Sequence, residues 1–281
     1  MRENLHSLLK YSFKGRKYFF NFSYQKEIFS LFEEIFNFLF NRSPFIIEKS
    51  IFREFWKKMN KRFCKILSKI YKNTLKCKFI SQKFLEKIPN IYEKLIFDAK
   101  AISQFDPAID ILEEIFLSHS GFFAIAFYRF SHELWNQKIP LIPNIIYNFT
   151  RSKTGMEINP EACIGKYLVI DHGSGIVIGS SSCIGNHVKI YQGVTLGAIK
   201  VKKSLANKKR HPTIEDNVII YVGSIILGGE TVIGNNSIIG GKSWITESIP
   251  PFSIVSQKSI IKIRINEIAK HFANSRKNSS C

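Results

Sequence analysis

Apolar positions along this chain follow two different rhythms. In "KSIFREFWKKMNKRFCKILSKIYKNTLKCKF", Ile51, Phe52, Phe55, Met59, Phe63, Ile66 and Ile70 fall mostly at three- and four-residue steps, giving one apolar face with lysines opposite. This predicts helix. "DPAIDILEEIFL" predicts another, with Asp106 at the N-cap and Pro107 in the first turn. "GFFAIAFYRFSHELW" extends the helical reading to a break at Pro140 and Pro143. Beyond residue 150 the period becomes six. Ile158, Ile164 and Ile170 are followed by Ile178, Ile184, Ile190 and Leu196, then by Ile214, Ile220 and Ile226. Leu227, Ile233, Ile239 and Ile245 continue in a register shifted by one. So short a repeat is incompatible with a helical solenoid. It predicts about five coils of short parallel strands with tight corners, each coil stacking its branched side chain on the previous one.

Composition changes at the same place. Of 25 Phe only Phe252 and Phe272 lie beyond residue 160, whereas 13 of 16 Gly and every Val lie beyond it. Gly suits sharp corners and Val extended backbone. The expected fold class is therefore α+β multidomain. An all-α domain over 1–150 precedes a parallel β-helix over 151–256 and a short tail over 257–281.

The net charge of +19 is concentrated early, with 22 basic against 9 acidic residues in 1–100. The lysines are spread along helix-like stretches and form no nucleic-acid module, so no nucleic-acid partner is expected. "IFSLFEEIFNFLF" is short for a bilayer and carries Glu33 and Glu34, and no secretory signal is evident; no membrane association is expected. Five scattered cysteines without a C-x-x-C pair fit reduced thiols in a cytoplasm.

Residues that break a repeat are candidates for chemistry, because the coil does not need them. Three breaks occur. In "IDHGSG" the step of six becomes eight, with Asp171-His172 at the irregularity. "GAIKVKKSLANKKRHP" is a basic excursion, expected to protrude over 199–210 and to end in Arg210-His211-Pro212. Glu157 lies at the start of the coil region.

"TGMEINPEACIG", "IDHGSGIVIG", "YQGVTLGA", "KRHPTIEDN" and the helical "FDPAID" and "GFFAIAFYRFSHELW" occur in order over about residues 95–256. Together they resemble the serine acetyltransferase family, left-handed β-helix enzymes that transfer the acetyl group of acetyl-CoA to L-serine on the route to L-cysteine. The resemblance implies His172 as the base that activates the serine hydroxyl, since an imidazole titrates near neutral pH. It implies Glu157 as the carboxylate that fixes the ring. It places Asp106 and Asp171 on the serine ammonium, Arg210 on its carboxylate, and His211 as a second active-site imidazole touching serine. Gly197, Ala198, Val222 and Gly241 would hold acetyl-CoA, with Lys200, Lys202, Lys203, Lys208 and Lys209 drawing in its phosphates. No metal is expected.

By the same resemblance, coils associate as a homo-trimer and helical domains join two trimers into a hexamer. Relatives usually read G-E-T where this chain has Gly179-Ser180-Ser181, and a second Gly where it has Ala198. The chain ends in Cys281 rather than the Ile that docks into O-acetylserine sulfhydrylase, so that complex is not expected. Three other readings of the coil are possible. An O-acetyltransferase for a sugar or other small acceptor gives no role to Asp106 or Arg210. A carbonic-anhydrase-type metal enzyme needs converging histidines, and His172, His187 and His211 lack the usual spacing. A catalytically silent scaffold is the third.

Overall fold

The computed structural model of the protein describes residues 22–40, 48–200 and 208–258. Seven helices lie among them: α1 (Phe22–Phe40), α2 (Lys49–Ser68), α3 (Thr74–Leu85), α4 (Ile88–Phe105), α5 (Leu112–Ser118), α6 (Ser120–Asn136) and α7 (Ile142–Thr154). Among the described residues, no helix is long and apolar enough to cross a membrane. Phenylalanines fill the helical core: Phe32, Phe63, Phe84, Phe122, Phe127 and Phe130 are fully buried. Phe32 meets Phe63 and Phe84 edge to face, the arrangement favoured by ring quadrupoles. The lysine-rich α2 buries its predicted stripe only from Met59 onward, while Ile51 and Phe52 are exposed.

Two helix boundaries differ from the sequence expectation. Asp106-Pro107 ends α4 instead of opening a helix: Asp106 is the extended C-cap, and α5 starts at Leu112. A residue before proline is pushed out of the helical region, and the Asp106 carboxylate accepts the Ala108 N–H at 2.9 Å, closing an Asx turn. Pro143 begins α7 rather than breaking a helix, because a first-turn residue needs no N–H donor.

From Glu157 the described residues form fourteen short strands arranged as three parallel sheets. The first side is β1 (Glu157–Ile158), β4 (Val177–Ile178), β7 (Thr195–Gly197), β10 (Ile225–Leu227) and β13 (Trp244–Ile245). The second is β2 (Cys163–Ile164), β5 (Cys183–Ile184), β8 (Thr213–Ile214) and β11 (Val232–Ile233). The third is β3 (Val169–Asp171), β6 (Lys189–Tyr191), β9 (Ile219–Ile220), β12 (Ile238–Ile239) and β14 (Ile254–Val255). Each side stacks its inward residue in register. Ile158, Ile178, Leu196, Ile226 and Ile245 form one ladder, and Ile170, Ile190, Ile220, Ile239 and Val255 another. Burial of each such side chain contributes about 1.5–3 kcal/mol, and the period of six places one on every side of every coil. The register shift falls one residue later than the pattern implies. Ile226 is the inward residue and Leu227 faces outward opposite Gly197, so the longer step runs from Ile226 to Ile233.

Helices and coil share one core. Asp98 on α4 accepts from Arg129 on α6 at 2.6 and 2.8 Å, with both side chains buried. Arg129 also donates to the Gly165 carbonyl at 2.8 Å, and the Leu168 N–H donates to Asp98 at 2.9 Å. The helices are thereby fixed to the first coil through a satisfied ion pair. Gly121 allows the close approach of α6: a Cβ there would lie 2.3 Å from the Ile170 carbonyl oxygen. This contact brings the start of α6 beside Asp171-His172.

Candidate active site

The irregular step after Ile170 is a corner between the third and first sides. Asp171 ends β3, paired with Tyr191 of β6, and His172 takes the left-handed conformation at φ 57°. Such a φ is costly for a residue with a Cβ and is held here by a turn, in which the Gly173 N–H donates to the Asp171 carbonyl at 2.6 Å. The corner throws the imidazole outward, leaving its side chain 72 % exposed, with Nε2 3.8 Å from Asp171 Oδ1. Asp106, presented by the end of α4, faces the same place. Together with Ile109, Glu114 and His119, these three line a cleft of about 310 Å³. A larger groove of about 580 Å³ runs along the second side between Cys163, Cys183 and Thr213. It contains none of the acid, base or guanidinium candidates, and the smaller cleft is the chemically equipped one.

Lys189 of β6 interacts electrostatically with both aspartates of this cleft. Its ammonium sits 3.5 Å from the centre of the Phe105 ring, the residue before Asp106. Burial pushes its pKa down, while Asp171 and Asp106 oppose that shift. The cation therefore anchors the end of α4 to the coil next to both carboxylates.

A second cluster forms where the chain returns from the excursion. Ser181 Oγ accepts the N–H groups of Arg210 at 2.9 Å and His211 at 3.1 Å. His211 Nδ1 lies 2.9 Å from that hydroxyl and also accepts the Ser181 N–H at 3.1 Å. Arg210 Nη2 donates to Ser180 Oγ at 2.8 Å. Ser180 and Ser181 thus hold both residues of the Arg-His pair. Gly179 is required beneath the ring, since a Cβ there would lie 2.0 Å from His211 Cδ2. His211 is buried; that burial, with the Arg210 and Lys209 charges beside it, pushes its pKa down to about 4. The ring is neutral near pH 7, and because Nδ1 accepts from Ser181 its proton sits on Nε2. His211 is built as a donor.

Glu157 is not joined to His172 by a hydrogen bond. Its carboxylate accepts from Tyr147 at 2.8 Å and pairs with Arg151 at 3.0 Å, both on α7. Burial and the neighbouring Glu157 push the Tyr147 hydroxyl up to about 12. Val222 and Gly241 stack on the corner column that begins at His172, where the Lys242 N–H donates to the Val222 carbonyl at 2.8 Å. Gly197 and Ala198 lie at the opposite end of the first side, the corner of His211, with Gly197 paired to Leu227. Lys200 and Lys208 are exposed there, and Lys209 donates to the carbonyls of Ser181 at 2.7 Å and Pro212 at 3.4 Å. Lys202 and Lys203, like Cys281, lie outside the described residues.

Within one chain, Asp106, Asp171 and His172 meet at one corner, and Arg210 and His211 stand at another. His187 occupies the third, stacked on Tyr167 with ring centres 4.1 Å apart. The three histidines weighed for a metal site therefore do not converge. His119, Lys189, Tyr147 and Ser181 were not identified from sequence. Only Ser181 left a signal, as part of the departure from G-E-T.

No family model matches the chain. A Synechococcus elongatus protein named serine acetyltransferase, plasmid, is 41 % identical over 186 residues, 64 % of this chain and 58 % of that relative. A second from the same organism is covered over 55 % of its length, so the chain spans little more than half of these two relatives. A Bacillus subtilis serine acetyltransferase is 41 % identical over 158 residues, 56 % of this chain and 70 % of that protein. Among solved structures, Entamoeba histolytica serine acetyltransferase 1 in complex with L-cysteine is 30 % identical with a TM-score of 0.71, covering 86 % of this chain and 90 % of that one. Neisseria gonorrhoeae serine acetyltransferase in complex with serine is 32 % identical with a TM-score of 0.58, covering 66 % and 74 %. The parallel coil described above is the left-handed β-helix of these neighbours. With a relative matched over 70 % of its length at this identity, the chain belongs to the serine acetyltransferase family.

Proposed function

We propose that this protein transfers the acetyl group of acetyl-CoA to the hydroxyl of L-serine, giving O-acetyl-L-serine and CoA for L-cysteine synthesis. The observation that carries this reading is the cleft in which Asp106, Asp171 and His172 converge. Two carboxylates suit an ammonium group, and an exposed imidazole beside them suits a hydroxyl that must lose a proton. Serine Oγ attacks the thioester carbonyl while His172 takes its proton. The C–S bond then breaks, and the imidazolium returns the proton to the departing thiolate. Glu157 is the proposed carboxylate partner of the His172 ring, a role that requires it to turn away from Tyr147 and Arg151. Arg210 would pair with the substrate carboxylate and His211 would donate its Nε2–H to the substrate. Gly197, Ala198, Val222 and Gly241, with the lysines of the excursion, would cradle acetyl-CoA.

The two clusters sit at different corners of one chain, which supports a homo-trimer in which the His172 corner of one copy faces the Arg210-His211 corner of the next. Each inactive on its own, His172→Ala and His211→Asn chains mixed after dissociation should then recover up to about one quarter of wild-type activity. No recovery in reassembled mixed trimers would argue against a shared site. The activity itself is tested by incubating the protein with acetyl-CoA and a panel of amino acids and sugars, following thiol release. Release with L-serine supports the proposal, and release with sugars but not L-serine overturns it.

A further inference from the structure

His119 lines the cleft as a second imidazole beside His172, and the proposed chemistry gives it no task. It stands immediately before α6 and caps it, its Nδ1 accepting the Phe122 N–H at 3.0 Å. Asn, Asp or Ser caps a helix better than His does, so capping alone does not account for an imidazole here. Asp would cap but would add another negative charge to a cleft already lined by Asp106, Glu114 and Asp171. The capping bond has a chemical consequence. With Nδ1 committed as an acceptor, the neutral ring carries its proton on Nε2. That N–H makes no hydrogen bond to any described residue, and the ring lines the same cleft as Asp106 and Asp171. Burial lowers the His119 pKa, with Asp106 and Asp171 opposing the shift and the nearby His172 adding to it. The group is therefore an uncharged donor near neutral pH.

Resting on the reading of this cleft as an amino-acid site, we infer that His119 is a specificity-determining residue that donates its Nε2–H to an oxygen of the bound amino acid. Being neutral, it leaves Asp106 and Asp171 free to take the ammonium. Being a donor, it makes a cleft of three carboxylates tolerate an oxygen-bearing substrate. A cation at this position would compete with the substrate ammonium, and an apolar ring would offer the oxygen nothing.

Two substitutions separate this role from the cap. His119→Asn keeps a strong capping side chain but is too short to place its amide where Nε2 stands. His119→Gln places an amide N–H at about the reach of Nε2. With L-serine as the varied substrate and acetyl-CoA saturating, His119→Asn should raise KM about tenfold with kcat within about twofold and an unchanged melting temperature. His119→Gln should restore KM to near the wild-type value. Wild-type KM in His119→Asn overturns the inference, as do equal losses of kcat and melting temperature in both variants, which would mark a structural role. A wild-type protein that releases no thiol with L-serine overturns the functional proposal and this inference with it. An active wild type with an indifferent His119→Asn overturns the inference alone.

Discussion

Removing one hydroxyl, in Ser181→Ala, tests how the Arg-His pair is held. Ser181 Oγ accepts the backbone N–H groups of Arg210 and His211 at 2.9 and 3.1 Å and contacts His211 Nδ1 at 2.9 Å. A net contribution of about 1 kcal/mol per bond gives about 3 kcal/mol if all three are lost, and the two backbone donors would be left to find water beside a buried ring. For a chain of this size that corresponds to a melting temperature lower by about 5–10 °C. The Ser181 N–H still reaches Nδ1, at 3.1 Å, so the ring should keep its tautomer while losing its fixed orientation. Activity should therefore fall through KM for the amino acid more than through kcat. Ser181→Thr retains the hydroxyl and should behave like wild type. Differential scanning fluorimetry and initial-rate kinetics on the three proteins suffice. A Ser181→Ala protein that melts within about 1 °C of wild type, with unaltered kcat/KM, would refute this account of the cluster.

Asp98→Asn leaves the Arg129 guanidinium buried without its carboxylate and should cost about 3 kcal/mol or more in urea unfolding. Adding Arg129→Met should recover part of that loss, and strictly additive effects would show that the pair is not coupled. The neutral His211 makes stability depend on pH. Its native pKa of about 4 lies below the unfolded value near 6.5, so the unfolded chain takes up the proton first. The contribution is complete above about pH 6.5 and is lost as pH falls toward 4, up to about 3 kcal/mol in all. Unfolding curves at pH 7.5 and 4.5 should show that slope in the wild type and a shallower one in His211→Gln; parallel slopes would contradict it.

The coil was legible because its physics is one-dimensional. Every side of every coil needs one inward branched residue, so Ile170, Ile190, Ile220 and Ile239 had to recur at fixed spacing. The exception, Leu227 facing outward, arose because Ile226 and Leu227 are equally apolar and only the pairing with Leu196 and Gly197 selects between them. Proline was ambiguous for a related reason. Pro107 follows a helix and Pro143 opens one, and the sequence around each satisfies both rules. In the candidate site, Asp171-His172 and Arg210-His211 were visible as interruptions of the period. Their supports were not, since Ser181 meets His211 across 30 residues and Lys189 on the coil meets Phe105 at the end of α4. Contacts of that kind are set by stacking and leave no local pattern. His119 was hidden by its ordinary setting at a helix start.

If the corner following Ile170 holds a base over a substrate hydroxyl, His172→Ala removes that base and nothing else. The His172 side chain is largely exposed, so the variant should fold and melt close to wild type. Thiol release from acetyl-CoA with L-serine should fall by about 10²–10⁴-fold, the range expected when a positioned general base is removed. Near-normal turnover with L-serine in a properly folded His172→Ala protein would contradict the assignment of the base and the mechanism built on it.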